Sequence, residues 1–175
     1  MELLQLEKLG TYEDELINLL CDCVDTGASV GFLPPMSELE ARFYWTSVQE
    51  AVDANASLIL IAKEENVLLG SVQLSFSSKT NAQHRCEVEK LMVLSTARGT
   101  GVATMLLQGV ENVAASWHKQ LITLDTRTDD AAYHLYQKMG YIEAGVVPNF
   151  VKSASGNLEN TSIFYKEITP SQELI

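Results

Sequence analysis

The sequence predicts an α/β domain organised around a single mixed sheet. Short apolar runs bounded by turn formers alternate with longer stretches whose apolar residues recur three and four apart, the signatures of strands and amphipathic helices. No internal repeat and no linker-like stretch separates them, so they are read as sharing one sheet. At residues 88–103 a strand runs through a tight glycine loop directly into a helix. A chain of 175 residues with 46% hydrophobic content can bury a full core. Residues 1–169 are read as one domain and 170–175 as a loose tail.

Residues 1–9 hold a first strand, through Leu3 and then Leu6 or Leu9. Thr11 opens a helix by capping, with Glu13 and Asp14 in the first turn, where the positive helix end favours them. Its buried stripe is Leu16, Ile17, Leu19, Leu20 and Val24. Residues 27–32 form a loop of small residues that Pro34 and Pro35 end. Ser37 caps a second helix with Glu38 and Glu40 in its first turn, and with Ala41, Tyr44, Trp45, Val48 and Val52 as its stripe.

Residues 57–62 and 67–75 read as a hairpin turning at 64–66, and a polar loop at 79–83 precedes a fourth strand at 86–94. The third helix gathers Val102, Met105, Leu106, Val110, Val113, Ala114 and Trp117 on one face. A fifth strand spans 121–126. Asp129 or Thr128 caps a fourth helix whose stripe is Ala132, Leu135, Tyr136 and Met139, and Gly140 ends it. Residues 141–147 make a sixth strand, 148–159 a loop and 161–168 a seventh strand.

A net charge of −11 argues against a nucleic-acid partner and against an anionic membrane surface. The first residues lack the basic and apolar regions of a signal peptide, and no run reaches the length of a membrane span. Cys21, Cys23 and Cys86 are an odd count without a metal-ligand pattern, so they are read as reduced, in a cytoplasmic protein with no metal. Oligomeric state is left open, a homodimer included.

In the glycine loop, Gly99 and Gly101 let the backbone turn sharply and keep side chains away from its N–H groups. Those groups and the positive end of the third helix suit a phosphate or pyrophosphate, and Arg98 can add a charge-assisted bond. No Lys follows Gly101, which excludes the nucleotide-triphosphate loop. Thr104 stands where a dinucleotide loop needs its third glycine.

The pattern R-x-x-G-x-A, met by Arg98, Gly101 and Ala103, resembles the pyrophosphate loop of the GNAT superfamily of acyl-CoA N-acyltransferases. A second block, residues 129–141, is similar to that family's N-x-x-A-x-x-L-Y-x-x-x-G-[FY] through Ala132, Leu135, Tyr136, Gly140 and Tyr141. It departs at Asp129, which when ionised cannot donate the hydrogen bond that an Asn side chain offers. Residues 27–32, 87–94 and 124–126 look like the branch containing the tabtoxin-resistance acetyltransferase.

The resemblance implies a mixed, mostly antiparallel seven-stranded sheet with helices on both faces. Strands four and five would splay to admit the pantetheine arm of acetyl-CoA, the co-substrate. Cofactor contacts are expected at Leu91, Met92, Val93, Arg98, Gly99, Thr100, Gly101, Val102, Ala103 and Tyr136.

The implied reaction is direct acetyl transfer to an amine. An alkyl ammonium has a pKa of about 10, so freeing its lone pair at neutral pH costs about 4 kcal/mol and calls for a base. The leaving thiolate calls for an acid, and the oxyanion for a backbone N–H that an irregular fourth strand near Met92 or Val93 can supply. Tyr136 is the candidate acid and Asp125 the first candidate carboxylate. Glu87 is the second. Alternation puts Glu87 and Glu89 on one face, so the residues leave that choice open, while the branch resemblance favours Glu87. His84, His118 and His134 are weaker candidates for the base.

Residues 27–32 can fold over the acceptor, with Ser29, Phe32, Glu87 and Asp125 as acceptor contacts and Trp45 as a further apolar wall. The acceptor is expected to be a small amine, a toxin or antibiotic among the options. The rival readings are acetylation of a protein amino group and a CoA-binding module without catalysis.

Overall fold

Each expected strand forms, and all seven join one sheet. The computed structural model describes residues 1–169, so the expected tail at 170–175 lies outside the described residues. The strands are β1 (Glu2–Leu6), β2 (Ser57–Glu64), β3 (Val67–Phe76), β4 (Arg85–Val93), β5 (Leu121–Arg127), β6 (Ile142–Lys152) and β7 (Leu158–Glu167). Their order across the sheet is β1-β2-β3-β4-β5-β7-β6. Every neighbouring pair is antiparallel except β4 with β5. The helices are α1 (Glu13–Asp25), α2 (Glu38–Asp53), α3 (Val102–Ser116) and α4 (Ala131–Lys138).

Strand alternation feeds two cores, one per face. On one face, Leu106, Leu107 and Val110 of α3 and Tyr136 of α4 pack with Leu58, Val72, Val88, Ile122, Leu124 and Phe164. On the other, Leu16, Leu20, Trp45 and Val48 of α1 and α2 pack with Ile59, Ile61, Leu68 and Met92. This second core draws on β1 to β4 and on no residue of β5, β6 or β7. On that side α1 and α2 therefore do not reach over β5 and β7.

Local expectations held where side chains set the ends. Ser37 caps α2 in a full capping box with Glu40. Others are corrected. Thr11 lies in a 3-10 turn, Gly10–Tyr12, and α1 starts at Glu13 without a side-chain cap; Glu13, Asp14 and Glu15 complement its positive end instead. The first strand stops at Leu6, where the chain turns and Leu9 N–H donates to Gln49 Oε1 at 2.8 Å. Asp130, not Asp129 or Thr128, caps α4, its carboxylate accepting from Tyr133 N–H at 2.9 Å. Asp129 sits just before it at φ 63. Trp117 falls beyond α3 and stacks on Phe76, with ring centroids 4.8 Å apart.

The expected loop at 148–159 is mostly strand, because β6 continues to Lys152 and β7 begins at Leu158. Two register shifts in β6, between Glu143 and Gly145 and between Val147 and Val151, let it continue past Pro148. A proline is tolerated there because β6 is an edge strand and the ladder is already interrupted.

Candidate active site

The β4–β5 pairing creates the site by ending early. The two strands pair from Arg85 with Leu121 to Glu87 with Thr123 and no further. Beyond that point β4 keeps to β3 while β5 follows β7, leaving a gap. Here β4 is also irregular. Between Ser71 paired with Met92 and Gln73 paired with Glu89, β4 holds one residue more than β3, and Lys90 takes φ 50. The irregularity expected at Met92 or Val93 thus begins at Lys90. Val88 and Leu91 pack into the α3 core and Met92 into the α1–α2 core. The extra residue therefore leaves Glu89 and Lys90 in succession on the α1–α2 side.

Glu87, Glu89 and Asp125 meet on this side of the gap. Glu87 and Glu89 are half-buried, and Ser75 Oγ donates to Glu89 Oε1 at 2.7 Å. Burial first, then Glu89 and Asp125, push the Glu87 carboxyl above its ordinary pKa. Asp125 opens to solvent at the mouth, while the protein packed on its inner side pushes its pKa up; Lys90 pulls it down and Glu89 raises it. Both of the alternatives left open at Glu87 and Glu89 thus share the face with Asp125. Across the gap, Tyr136 on α4 is 5% exposed and its hydroxyl makes no hydrogen bond to another described residue. Burial, then Asp130 and Asp125, raise its pKa, which keeps the phenol protonated. The position of α4 is fixed from behind by Lys166, which donates to Glu111 of α3 and to the Met139 carbonyl, each at 2.8 Å.

At the far end of the gap, Gly99 and Gly101 take φ 77 and 94, and Gly101 precedes α3 with no side-chain cap. The first N–H groups of α3 are thus left to an external acceptor. Nothing lies within 4 Å of where a Cβ would stand at either glycine, so backbone conformation, not crowding, calls for glycine here. Arg98 reaches α1, donating to Thr26 Oγ1 at 2.6 Å. Asp22 of α1 accepts from Ser95 N–H and Ser95 Oγ, each at 2.7 Å. The end of α1 therefore braces the loop.

A family model described as the acetyltransferase (GNAT) family matches residues 15–141. The chain belongs to the GNAT acetyltransferase family. It is 36% identical over 92 residues to YdhI, an uncharacterised protein of Bacillus subtilis. That match takes in 52% of this chain and 53% of the relative, about half of each. Solved structures share the fold at lower identity. YncA from Salmonella typhimurium, solved with its cofactor acetyl-CoA, superposes with a TM-score of 0.79 at 14% identity, covering 100% of this chain and 99% of that one. An N-acetyltransferase from Staphylococcus aureus gives 0.78 at 18%, with 95% and 99% covered. A ribosomal-protein-alanine N-acetyltransferase from Brucella melitensis gives 0.77 at 19%, with 94% and 99% covered.

Within this GNAT fold there are two clefts on the α1–α2 side, one of them lined by Glu89 and neither by Glu87 or Asp125. One, of about 260 Å³, lies between the loop that holds Ser29 and Phe32 and the turn from β6 to β7, and Arg127 and Glu159 also line it. The other, of about 240 Å³, lies under α2 and is lined by Tyr44, Gln73, Ser75, Glu89 and Lys90. Phe32 meets Tyr44 edge to face at 5.3 Å. Trp45, expected as a wall, is fully buried core, its Nε1–H donating to the Leu16 carbonyl at 2.8 Å.

Two residues escaped the sequence reading. Arg127 ties three elements together, with Nε 3.3 Å from Glu159 and 3.8 Å from Asp130 and Nη2 donating to the Gly27 carbonyl at 3.4 Å. Its spacing from Thr123 and Asp125 on one strand face was the available signal. Lys90 lies within 87–94, the stretch similar to the tabtoxin-resistance branch, but alternation assigns it to the opposite face.

Proposed function

We propose that this GNAT enzyme transfers the acetyl group of acetyl-CoA to the amine of a small cationic molecule. The single observation carrying the reading is Tyr136, a residue 5% exposed whose hydroxyl makes no hydrogen bond to another described residue and whose ionisation is opposed by Asp125 nearby. The residues present fit the co-substrate. The open N–H groups at the start of α3 suit a pyrophosphate, and the gap between β4 and β5 suits its thioester arm.

Acetyl-CoA supplies an acetyl thioester whose C–S bond breaks as the C–N bond to the amine forms. Glu87 and Asp125 hold the incoming ammonium. One of them takes its proton, so that the nitrogen lone pair is free. Raised pKa values bring these carboxylates closer to the operating pH, where a base is most effective. The backbone N–H groups around the bulge at Lys90 face the developing oxyanion, and Leu91, Met92 and Val93 line that side. Tyr136 returns a proton to the departing sulfur. Arg98, Gly99, Thr100, Gly101, Val102 and Ala103 hold the diphosphate.

Ser29 and Phe32 line the 260 Å³ cleft and are assigned as acceptor contacts. The likeness of residues 27–32, 87–94 and 124–126 to the tabtoxin-resistance branch supports a small molecule over a protein chain. Three free cysteines suit a reducing cytoplasm.

Thiol release from acetyl-CoA against a panel of small amines and peptides tests the proposal. Small amines should be turned over and peptides should not. Tyr136→Phe should lower kcat by about 100-fold with little change in CoA affinity by calorimetry. Binding of CoA without thiol release from any amine would overturn catalysis, and a preference for peptides would overturn the acceptor class.

A further inference from the structure

Strand β6 is rich in apolar residues yet contributes to neither core. Every residue from Ile142 to Phe150 is exposed. Ile142, Val146, Val147 and Phe150, with Leu158 beside Lys152 across the ladder, are between 39% and 60% exposed. Single apolar residues are ordinary on a surface, but a contiguous strip of them marks a contact. β6 is also the last strand of the sheet, so one row of its backbone N–H and C=O groups faces no strand. Its charged residues, Glu143 and Lys152, stand near its two ends, and 144–151 carry no charge. In a chain of net charge −11, this strip is where a second acidic chain approaches with least repulsion.

We infer that β6 is the contact between two copies of this chain, related by a two-fold axis that passes between Val147 and Pro148. An edge strand that meets its own copy antiparallel makes a closed, self-complementary arrangement. Centred there, the contact sets Glu143 opposite Lys152 of the other copy, and the reverse, with Val146, Val147 and Phe150 gathered between them. Both end charges are available for this. Glu143 Oε2 accepts from Tyr133 Oη at 3.2 Å, which leaves Oε1, and Lys152 makes no hydrogen bond or ion pair with another described residue. A strand of 11 residues is about 35 Å long. Open on both faces, it offers a surface on the order of the 800 Å² a side that a stable dimer buries. Pro148 lacks an N–H and two register shifts twist the strand, so the edge cannot extend an open ladder with any flat strand it meets. The contact closes on itself instead. Val151 and Lys152 also line the cleft that holds Ser29 and Phe32. The other copy's Ile142 and Glu143 therefore come to the rim of that cleft, so that each cleft borders both chains. The inference does not depend on the reaction proposed for the site.

Sedimentation velocity of the full chain over a range of concentrations tests it. The chain should sediment at twice its own mass at micromolar concentration. Val147→Glu brings two like charges together at the axis and should weaken dimerisation by about 100-fold. Lys152→Glu sets a second carboxylate opposite Glu143 at both ends and should weaken it by about 10-fold. Glu143→Lys should do the same, and the two reversals combined should bring the parent midpoint back, a recovery that loss of folding cannot imitate. A double reversal as weak as the single ones overturns the two-fold placed here. A monomer at every concentration overturns the inference, as does a monomer whose β6 amides resist hydrogen exchange, because another occupant then covers the strand. A dimer that neither Val147→Glu nor Lys152→Glu weakens forms through a different surface and overturns it too.

Discussion

At the scale of single residues, the site stores unfavourable charge. Glu87 and Asp125 are both harder to ionise in the folded chain than in an unfolded one. Their ionisation therefore works against the fold. The effect is absent in acid and grows as pH rises through the raised pKa values. Asp125→Asn should accordingly raise Tm at neutral pH by about 2 °C and leave it unchanged in acid, as thermal unfolding at several pH values will show. The gain is small because both groups remain partly open to water. The same substitution removes a candidate base, so kcat/KM should fall by roughly 100-fold. A variant that is more stable and less active is the expected mark of a residue kept for function.

At the scale of elements, the glycine loop before α3 and the loop at 27–32 share one support. Successive contacts from the last turn of α1 and from Thr26 reach the end of β4 and the stretch after it. Asp22 takes Ser95, Cys23 Sγ–H donates to the Val93 carbonyl at 3.4 Å, and Thr26 takes Arg98. The loop at 27–32 leaves α1 directly after Thr26, and Arg127 pins it at Gly27. Asp22→Ala strips two charge-assisted hydrogen bonds and should destabilise the fold by about 2 kcal/mol. It should also weaken CoA binding several-fold by calorimetry. If CoA affinity does not move, the brace on the loop is not what shapes the anion site.

At the scale of the whole molecule, the coverage of the sheet decides where chemistry can occur. The core under α1 and α2 ends at β4, and the core under α3 and α4 continues to β7. The gap between β4 and β5 thus opens on one side to solvent and on the other to Tyr136. A net charge of −11 gives the whole chain a negative field, which favours the approach of a cation. For a cationic acceptor, KM should rise as salt is raised towards the molar range, where charges are screened within about 3 Å. An anionic amine should show the opposite trend in the same thiol-release assay.

Periodicity by itself determined the strands and helices, because burial of a strand or helix face is written locally in every second, third or fourth residue. The glycine loop and Tyr136 were legible for the same reason: a tight turn into a helix and a stripe on α4 are short-range patterns. The tertiary structure alone decided which charges meet. An extra residue in β4 appears only when β4 is paired with β3, and it is that pairing which turns Lys90 to the side of Glu89 and Asp125. Strand partners far apart in sequence likewise carried β6 past Pro148 and brought Arg127 to Glu159. Register is a property of two strands together, so no single strand's sequence can state it.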